Sequence, residues 1–412
     1  MNAPRSSNTV GVSAPVAAAK AHFQAEAIRR EIPYFRPSIG EEEITAACET
    51  LRSGWLTAGP RVKEFEEAFA VFVEAPWAIA VASCTAALQL ALEAMGVGSG
   101  DDVLMPTMTF ASAVAAVVHL GARPVFVDCD PATLNMDPAD LERRTTPKSK
   151  VVMPMHFAGQ PCPLREIRAI AEHHGIRVIE DAAHALTAGY HGQPIGSISE
   201  VSCFSFYANK GITTGEGGMI AATDEALARR MRLMTYSGIN HDCLTAAGVR
   251  RWWKYEVVAP GYKANMTDIQ AAIGIQQLKK AKRFRDERRR CADLYKAGFK
   301  STPAVHDAVV LPELTHAWHL YVIQLQLDQL RISRDEFSLR LEEMGVGNTV
   351  HYLPLHMHAY YRDAFGYRPD DLPVAKAAYD RILSLPIYPS LTNADVEYVV
   401  ECVMAVAAQH RR

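Results

Sequence analysis

Four short stretches combine residue types and spacings suited to chemistry. IRVIEDAAH (176–184) runs an apolar segment into Asp181, with His184 three residues later. A carboxylate at the end of a buried strand can pair with a cationic ligand atom, or it can cap the helix that follows. VASCTAALQLAL (81–92) leads through Ser83, Cys84 and Thr85 into a helix of small residues. Free backbone N–H groups and the Thr85 hydroxyl suit a phosphate there, with an ordinary N-cap as the structural alternative. PTMTFASAV (106–114) puts Phe110 just past a strand, where its ring can stack on a flat cofactor or join the core. CFSFYANKGITTGEGGMI (203–220) holds Lys210 between an aromatic run and a glycine-rich turn. It is not a Walker phosphate loop, because no Gly-Lys-Ser/Thr stands at the required spacing. Ser205, five residues before Lys210, can reach the same anion as Thr85.

A lysine among Phe204, Phe206, Ile212 and glycines is poorly hydrated, which lowers its pKa and makes the amine a usable nucleophile and base. A surface lysine is the alternative for that motif alone. Taken together, a strand-end acid, a later lysine, an aromatic plate and a hydroxyl-rich helix start are what pyridoxal 5'-phosphate requires. The acid keeps the pyridine nitrogen protonated so that the ring acts as an electron sink, and the lysine forms the Schiff base.

The elements that must position these residues are legible in the periodicity. Apolar runs at WAIAV (77–81), DVLM (102–105), PVFVD (124–128), VVMPMH (151–156) and IRVIED (176–181) alternate with helical patterns, among them PLREIRAIAEHH (163–174). Strands apolar throughout are covered by helices on both faces, so the fold class is α/β with a largely parallel sheet. The pattern changes after a helix at 266–280. A further helix from about 285, an amphipathic strand HLYVIQLQL (319–327) and helices at 333–345 and 393–409 read as a smaller α+β domain. The expected organisation is a flexible tail at 1–31, a large domain at 32–284 and a small C-terminal domain at 285–412.

Composition narrows the function classes. The chain has 412 residues, 49% hydrophobic and 22% charged, with a net charge of −3. Such a balance disfavours a polyanionic partner, so no nucleic acid is expected. The basic run KKAKRFRDERRR (279–290) reads as a solvated helix face near the domain junction. The eight cysteines form no C-x-x-C pair and sit mostly in apolar contexts, which suits reduced thiols in the cytoplasm. No apolar run reaches the ~18 residues of a membrane span, and the Ala-, Ser- and Pro-rich N-terminus lacks the h-region of a signal peptide. A metal site built on His351, His356 and His358 is disfavoured, because no acidic partner stands at ligand spacing.

At these motifs the chain resembles the DegT/DnrJ/StrS family of sugar aminotransferases, which have the fold-type I pyridoxal-phosphate architecture. The resemblance runs over about residues 32–405 and rests on SGWLTAGP (53–60), SCTAALQLAL (83–92), PTMTFASA (106–113), VIEDAAHA (178–185), FSFYANKGITTGEGGM (204–219) and GYKANMTDIQAAIG (261–274). Details such as HFAGQPCPL, GYKANMTD and VHYLPLHMHAYY are most similar to the nucleotide-sugar 4-aminotransferases, of the type that makes UDP-4-amino-4-deoxy-L-arabinose.

The resemblance implies that Lys210 bonds the cofactor and shuttles the proton, that Asp181 pairs with the pyridine nitrogen, and that His184 sits beside the ring. It also implies that Phe110 stacks on the ring. Cys84, Thr85 and Ser205 would hold the phosphate, with Asn265 reaching it from the second subunit of a homodimer. Tyr34, Trp55, Leu56 and Thr57, with His351, Tyr352 and His356, match regions that line the sugar-nucleotide site. Two motifs depart from the family pattern. Relatives read SGTAAL where Cys84 stands here, so its phosphate contact is expected through the backbone. They also read G-x-N-x-R-M where this chain has Gly261, Lys263 and Asn265.

The implied reaction is a ping-pong transamination. L-glutamate would leave as 2-oxoglutarate, and its amino group would pass to a nucleotide-linked 4-keto sugar for lipopolysaccharide O-antigen or related glycan synthesis. A 3-keto-sugar aminotransferase working on dTDP-linked sugars and a non-catalytic regulatory homologue are the alternatives. Dehydratases of the family carry histidine at the lysine position, and Lys210 argues against that branch.

Overall fold

The computed structural model describes residues 30–240, 255–307 and 309–412. Residues 1–29 of the expected tail, and Cys243, lie outside them. Two helices, α1 (Glu41–Ser53) and α2 (Pro60–Phe72), precede β1 (Trp77–Val81). The chain then alternates through α3 (Cys84–Ala94), β2 (Asp102–Pro106), α4 (Ala111–His119), β3 (Arg123–Val127), α5 (Pro138–Arg144), β4 (Ser149–Val152), α6 (Leu164–His174) and β5 (Arg177–Asp181). A small hairpin, β6 (Gly189–Tyr190) and β7 (Gln193–Pro194), leads to β8 (Val201–Ser205), β9 (Gly218–Ala222) and α7 (Glu225–Met234).

Seven of these strands form one sheet in the order β1-β9-β8-β5-β4-β2-β3. All pairs are parallel except those of β9, which is antiparallel to both β1 and β8. Every strand but β9 therefore points the same way, and their carboxyl ends share one edge. That edge is where ligands gather in open α/β sheets. The strands are apolar on both sides because both sides are packed. Ile79, Val81, Val103 and Met105 join one core, while Ala78, Ala80 and Leu104 join the other.

After the short pair β10 (Ile239–Asn240) and β11 (Glu256–Val257), one long helix α8 (Asp268–Phe299) crosses the molecule. Thr267 and Gln270 form its capping box. The two helices expected at 266–280 and from 285 are thus continuous. The expected domain boundary at 284/285 falls inside α8, where the buried face changes partners. Ala271, Ile275, Leu278, Ala281 and Phe284 pack on the large sheet, whereas Cys291, Ala292, Tyr295 and Phe299 belong to a third core. That core is built on β12 (Val305–Asp307), β14 (Tyr321–Leu325) and β15 (Ile382–Leu385), an antiparallel sheet that follows β13 (Leu314–Thr315) in part. Helices α9 (Arg334–Glu343), α10 (Ala359–Phe365), α11 (Pro373–Tyr379) and α12 (Asn393–Gln409) complete this half of the chain.

The first described residues are tied to the C-terminal half. Arg30 pairs with Asp395 at 2.6 Å, and Ile32 is buried in the third core with its N–H on Gly345 O at 2.8 Å. Ile32 therefore packs with the small unit, not with the large sheet where the sequence reading begins the large domain. Among the described residues, no helix is long and apolar enough to cross a membrane.

Candidate active site

The carboxyl ends of the strands bring several of the expected residues to one edge of the sheet. Asp181 closes β5, Ser83 to Thr85 follow β1, Phe110 lies four residues past β2, and Lys210 stands on the turn between β8 and β9. These last two strands were not expected from the sequence, and their register explains the site. Ser205 pairs with Gly218. A Cβ on Gly218 would sit 2.6–2.8 Å from the Ser83 and Cys84 backbone, so only glycine lets β9 press against the start of α3. The Ser205 and Thr85 positions are brought together by that contact.

At the start of α3 the Ser83 hydroxyl accepts from Ala86 N at 3.1 Å and acts as the N-cap. The Cys84 thiol donates to Cys203 O at 3.5 Å, so its side chain turns into the sheet. What α3 offers an anion is its first N–H groups and the Thr85 hydroxyl. The Ser205 hydroxyl, half-buried, accepts from Tyr207 N at 3.4 Å.

The Lys210 turn is held from several sides. Lys210 N donates to Tyr207 O at 3.0 Å, Phe206 N to Gly217 O at 2.9 Å and Thr214 N to Phe206 O at 3.0 Å. Beneath it, Arg288 of α8 donates to the carbonyls of Lys210 and Gly211, both at 3.3 Å. Arg288 is buried, and no salt bridge partners it among the described residues. The basic run read as a solvated face is thus solvated only in part. Lys280 pairs with Glu42 and Glu43, and Arg288 serves the lysine turn.

Burial pulls the Lys210 amine down from 10.5 to about 8, against the opposing charge of Asp181. The Asp181 carboxyl is itself raised by burial, a shift opposed by the Ala183 N–H at 3.1 Å and by the charge of Lys210. Asp181 thus both caps the turn that follows it and faces the lysine. His184 is buried, with its Nε2 3.1 Å from the Tyr352 hydroxyl and its Nδ1 without a partner. Burial first, and then the charge of Lys210, keep it neutral. Phe110 is 61% exposed and faces Tyr352 at 6.3 Å between ring centroids. An exposed ring and an orphaned imidazole nitrogen meet at Tyr352, and the buried acid and amine lie close by; such a combination suits a flat, polar heterocycle.

The other expected residues fall into three groups. Tyr34 and His351 pack together at 5.9 Å, and His351 Nδ1 lies 2.9 Å from the Ser384 hydroxyl. His351 is also 6.5 Å from the His184 ring, so this pair joins the cluster. Trp55, Leu56 and Thr57 form an exposed loop, and Thr57 Oγ1 accepts from Asn265 Nδ2 at 3.3 Å. The backbone of Asn265 bridges to Val81 at the end of β1. His356 stands apart and corrects the expectation of a substrate contact. It is fully buried, with Nδ1 on the Thr107 hydroxyl at 2.8 Å and Nε2 on Pro369 O at 3.1 Å. Both ring nitrogens are committed to holding the 355–371 segment against the strand end.

Three side chains at the site were missed from sequence: Arg288, His319 and Asp268. Asp268, buried at the start of α8, accepts from Gly59 N at 2.6 Å and Arg61 N at 3.1 Å and so anchors the 55–59 loop. A single acid after a turn carries no local signal of a partner 209 residues away.

Comparison with known proteins places the chain in a family. Residues 37–404 match the DegT/DnrJ/EryC1/StrS aminotransferase family. The chain is 46% identical to the spore coat polysaccharide biosynthesis protein SpsC of Bacillus subtilis, covering 90% of this chain and 96% of that protein. Among solved structures, the aminotransferase TlmJ from Streptoalloteichus hindustanus is 34% identical with a TM-score of 0.85, over 92% of this chain and all of its own. Spr1654 from Streptococcus pneumoniae, solved in a PLP form, is 32% identical with a TM-score of 0.86, over 92% of this chain and 99% of that one. The chain is therefore a pyridoxal-phosphate-dependent sugar aminotransferase, a member of the DegT/DnrJ/EryC1/StrS family.

Proposed function

We propose that the protein moves the amino group of L-glutamate to the keto carbon at position 4 of a nucleotide-linked sugar, in the synthesis of a surface polysaccharide. What carries the chemistry is Lys210 on the turn past β8, held close to the buried Asp181, with burial drawing its amine down to about 8. The substrate class draws support from two relatives. SpsC is a polysaccharide biosynthesis protein. PseC of Helicobacter pylori, 26% identical with a TM-score of 0.86 over 92% of this chain and all of its own, is an aminotransferase in pseudoaminic acid biosynthesis.

When bound, pyridoxal phosphate supplies the electron sink that lets the α-proton of the amino acid leave. The chain's own residues do the rest. Asp181 would hold the ring nitrogen protonated, Phe110 would stack on the ring, and His184, whose Nδ1 has no partner in the protein, would sit beside it. The first N–H groups of α3, at Cys84 and Thr85, would hold the phosphate with the hydroxyls of Thr85 and Ser205. Lys210 Nζ would take the proton and return it. Positioned proton transfer is worth ~10²–10⁴-fold, so Lys210→Ala is expected to lose at least that.

In this reading the enzyme is a homodimer. Trp55, Leu56 and Thr57 form an exposed patch against the half-buried Asn265, which would complete the neighbouring subunit's phosphate site. Tyr34, His351 and Tyr352 would line the sugar side of the pocket. A cytoplasmic location fits the seven free thiols among the described residues. The test is a panel of nucleotide-linked 4-keto and 3-keto sugars offered with glutamate, with products read by mass spectrometry and NMR. Amination of 3-keto sugars alone would overturn the position assigned here.

A further inference from the structure

His319 lies two residues before β14, on a loop laid against the strand-end edge by Leu320 N on Ala158 O at 3.1 Å and Ala317 N on Gly159 O at 2.9 Å. Gly159 makes the approach possible. Its φ is +101°, and a Cβ there would meet His184 O at 2.9 Å and His319 N at 3.1 Å. The two imidazoles consequently pack with centroids 4.2 Å apart. His319 Nε2 stands 3.5 Å from Lys210 Nζ, while its Nδ1 is buried and has no partner.

We infer that His319 is a positioning residue, whose Nε2–H donates to the lone pair of the Lys210 amine once that amine has lost its proton, and so favours the neutral form and aims it. The inference rests on the reading of Lys210 given above. The contact is long for a hydrogen bond, as catalytic contacts commonly are before ligands bind. The tautomer follows from the orphaned atom. With the proton on Nε2, Nδ1 is a bare acceptor in a dry site. With the proton on Nδ1, a buried N–H is stranded, which is the rarer and costlier arrangement. Burial, above all, keeps the ring from becoming a cation.

The groups that face the Lys210 amine come from every element around it. Asp181 ends β5, Cys84 opens α3, and His184, His319 and His351 close the cofactor side. Arg288 lies beneath the Lys210 carbonyl. His319, being neutral, contributes no net charge to the amine, so the sign of its effect depends on which atom donates. A donor to the amine favours the neutral form and lowers the amine's pKa, whereas an acceptor from the ammonium raises it.

That sign is measurable in the cofactor-free protein. Competitive isotopic acetylation across a pH series, read at the Lys210 peptide by mass spectrometry, gives the pKa of this one amine. His319→Phe keeps the site dry and removes the donor, and it is expected to raise the Lys210 pKa by about half to one pH unit. His319→Gln retains an N–H donor and is expected to stay nearer the wild type. His319→Leu carries the same expectation as His319→Phe should the larger ring impair folding. An unchanged or lower pKa in the apolar variants overturns the assignment. Borohydride trapping of bound cofactor separates this outcome from a failure of the underlying reading. Trapping at Lys210 with no pKa response removes only His319, whereas trapping at another lysine removes both.

Discussion

Replacing Lys210 with methionine should make the cofactor-free protein more stable at neutral pH while removing its chemistry. Folding pulls the amine from 10.5 to about 8, so the unfolded chain holds that proton more tightly than the folded one. At ~1.4 kcal/mol per pH unit, this costs about 3 kcal/mol of stability. Lys210 is only half-buried as a residue, so the figure is an upper bound. The cost is full below pH 8, shrinks between pH 8 and 10.5 because the folded state has lost the proton while the unfolded chain still holds it, and is gone above. Methionine fills the same space with no charge to desolvate. For a chain of this length the difference corresponds to a gain of roughly 3–4 °C in melting temperature. The assay is thermal unfolding of the cofactor-free wild type and Lys210→Met from pH 6.5 to 11. The wild type is expected to melt lower at pH 7, with the gap closing as the pH rises. A variant that melts below the wild type at neutral pH would refute the reasoning, because Lys210 would then gain more from its ion pair with Asp181 than it loses by burial.

Three further substitutions separate roles that the geometry assigns. Asp181→Asn is expected to cut turnover roughly 10²–10⁴-fold and to shift the absorption spectrum of the bound cofactor, since a neutral amide cannot hold the ring nitrogen protonated. Absorbance and steady-state rates check both. Phe110→Ala removes a ring that is 61% exposed, so unfolding is expected to change by less than about 0.5 kcal/mol, while cofactor affinity, read by titration, falls about 2- to 10-fold. His356→Ala strands the Thr107 hydroxyl and Pro369 carbonyl, and is expected to cost about 2–4 kcal/mol in denaturant unfolding with the KM for the sugar unchanged. A raised KM with normal stability would return His356 to the substrate site.

Much of this arrangement is legible in one chain because the signals are local. WAIAV and IRVIED read as buried strands, and their carboxyl ends lead to Cys84 and Asp181 as expected. The last helix begins and ends where its periodicity places it, at Asn393 and Gln409. What escaped is non-local or compositionally disguised. The strands β8 and β9 flank a glycine-rich turn, and their pairing of Ser205 with Gly218 spans the very residues that read as loop. Arg288 sits among other basic residues and is distinguished only by carbonyls 77 and 78 residues upstream. His319 reads as the first residue of an amphipathic strand, and nothing in its neighbours announces Lys210, 109 residues away. His356 looks like one of several loop histidines until Thr107 and Pro369 are found on its two nitrogens.

The covalent capture of pyridoxal phosphate by Lys210 is the claim on which the rest depends, and reduction with borohydride followed by peptide mass spectrometry tests it most directly. The account expects the yellow colour to bleach and the reduced pyridoxyl group to appear on the 203–220 segment at Lys210. A protein that binds the cofactor but carries the label on another lysine, or on none, would contradict it.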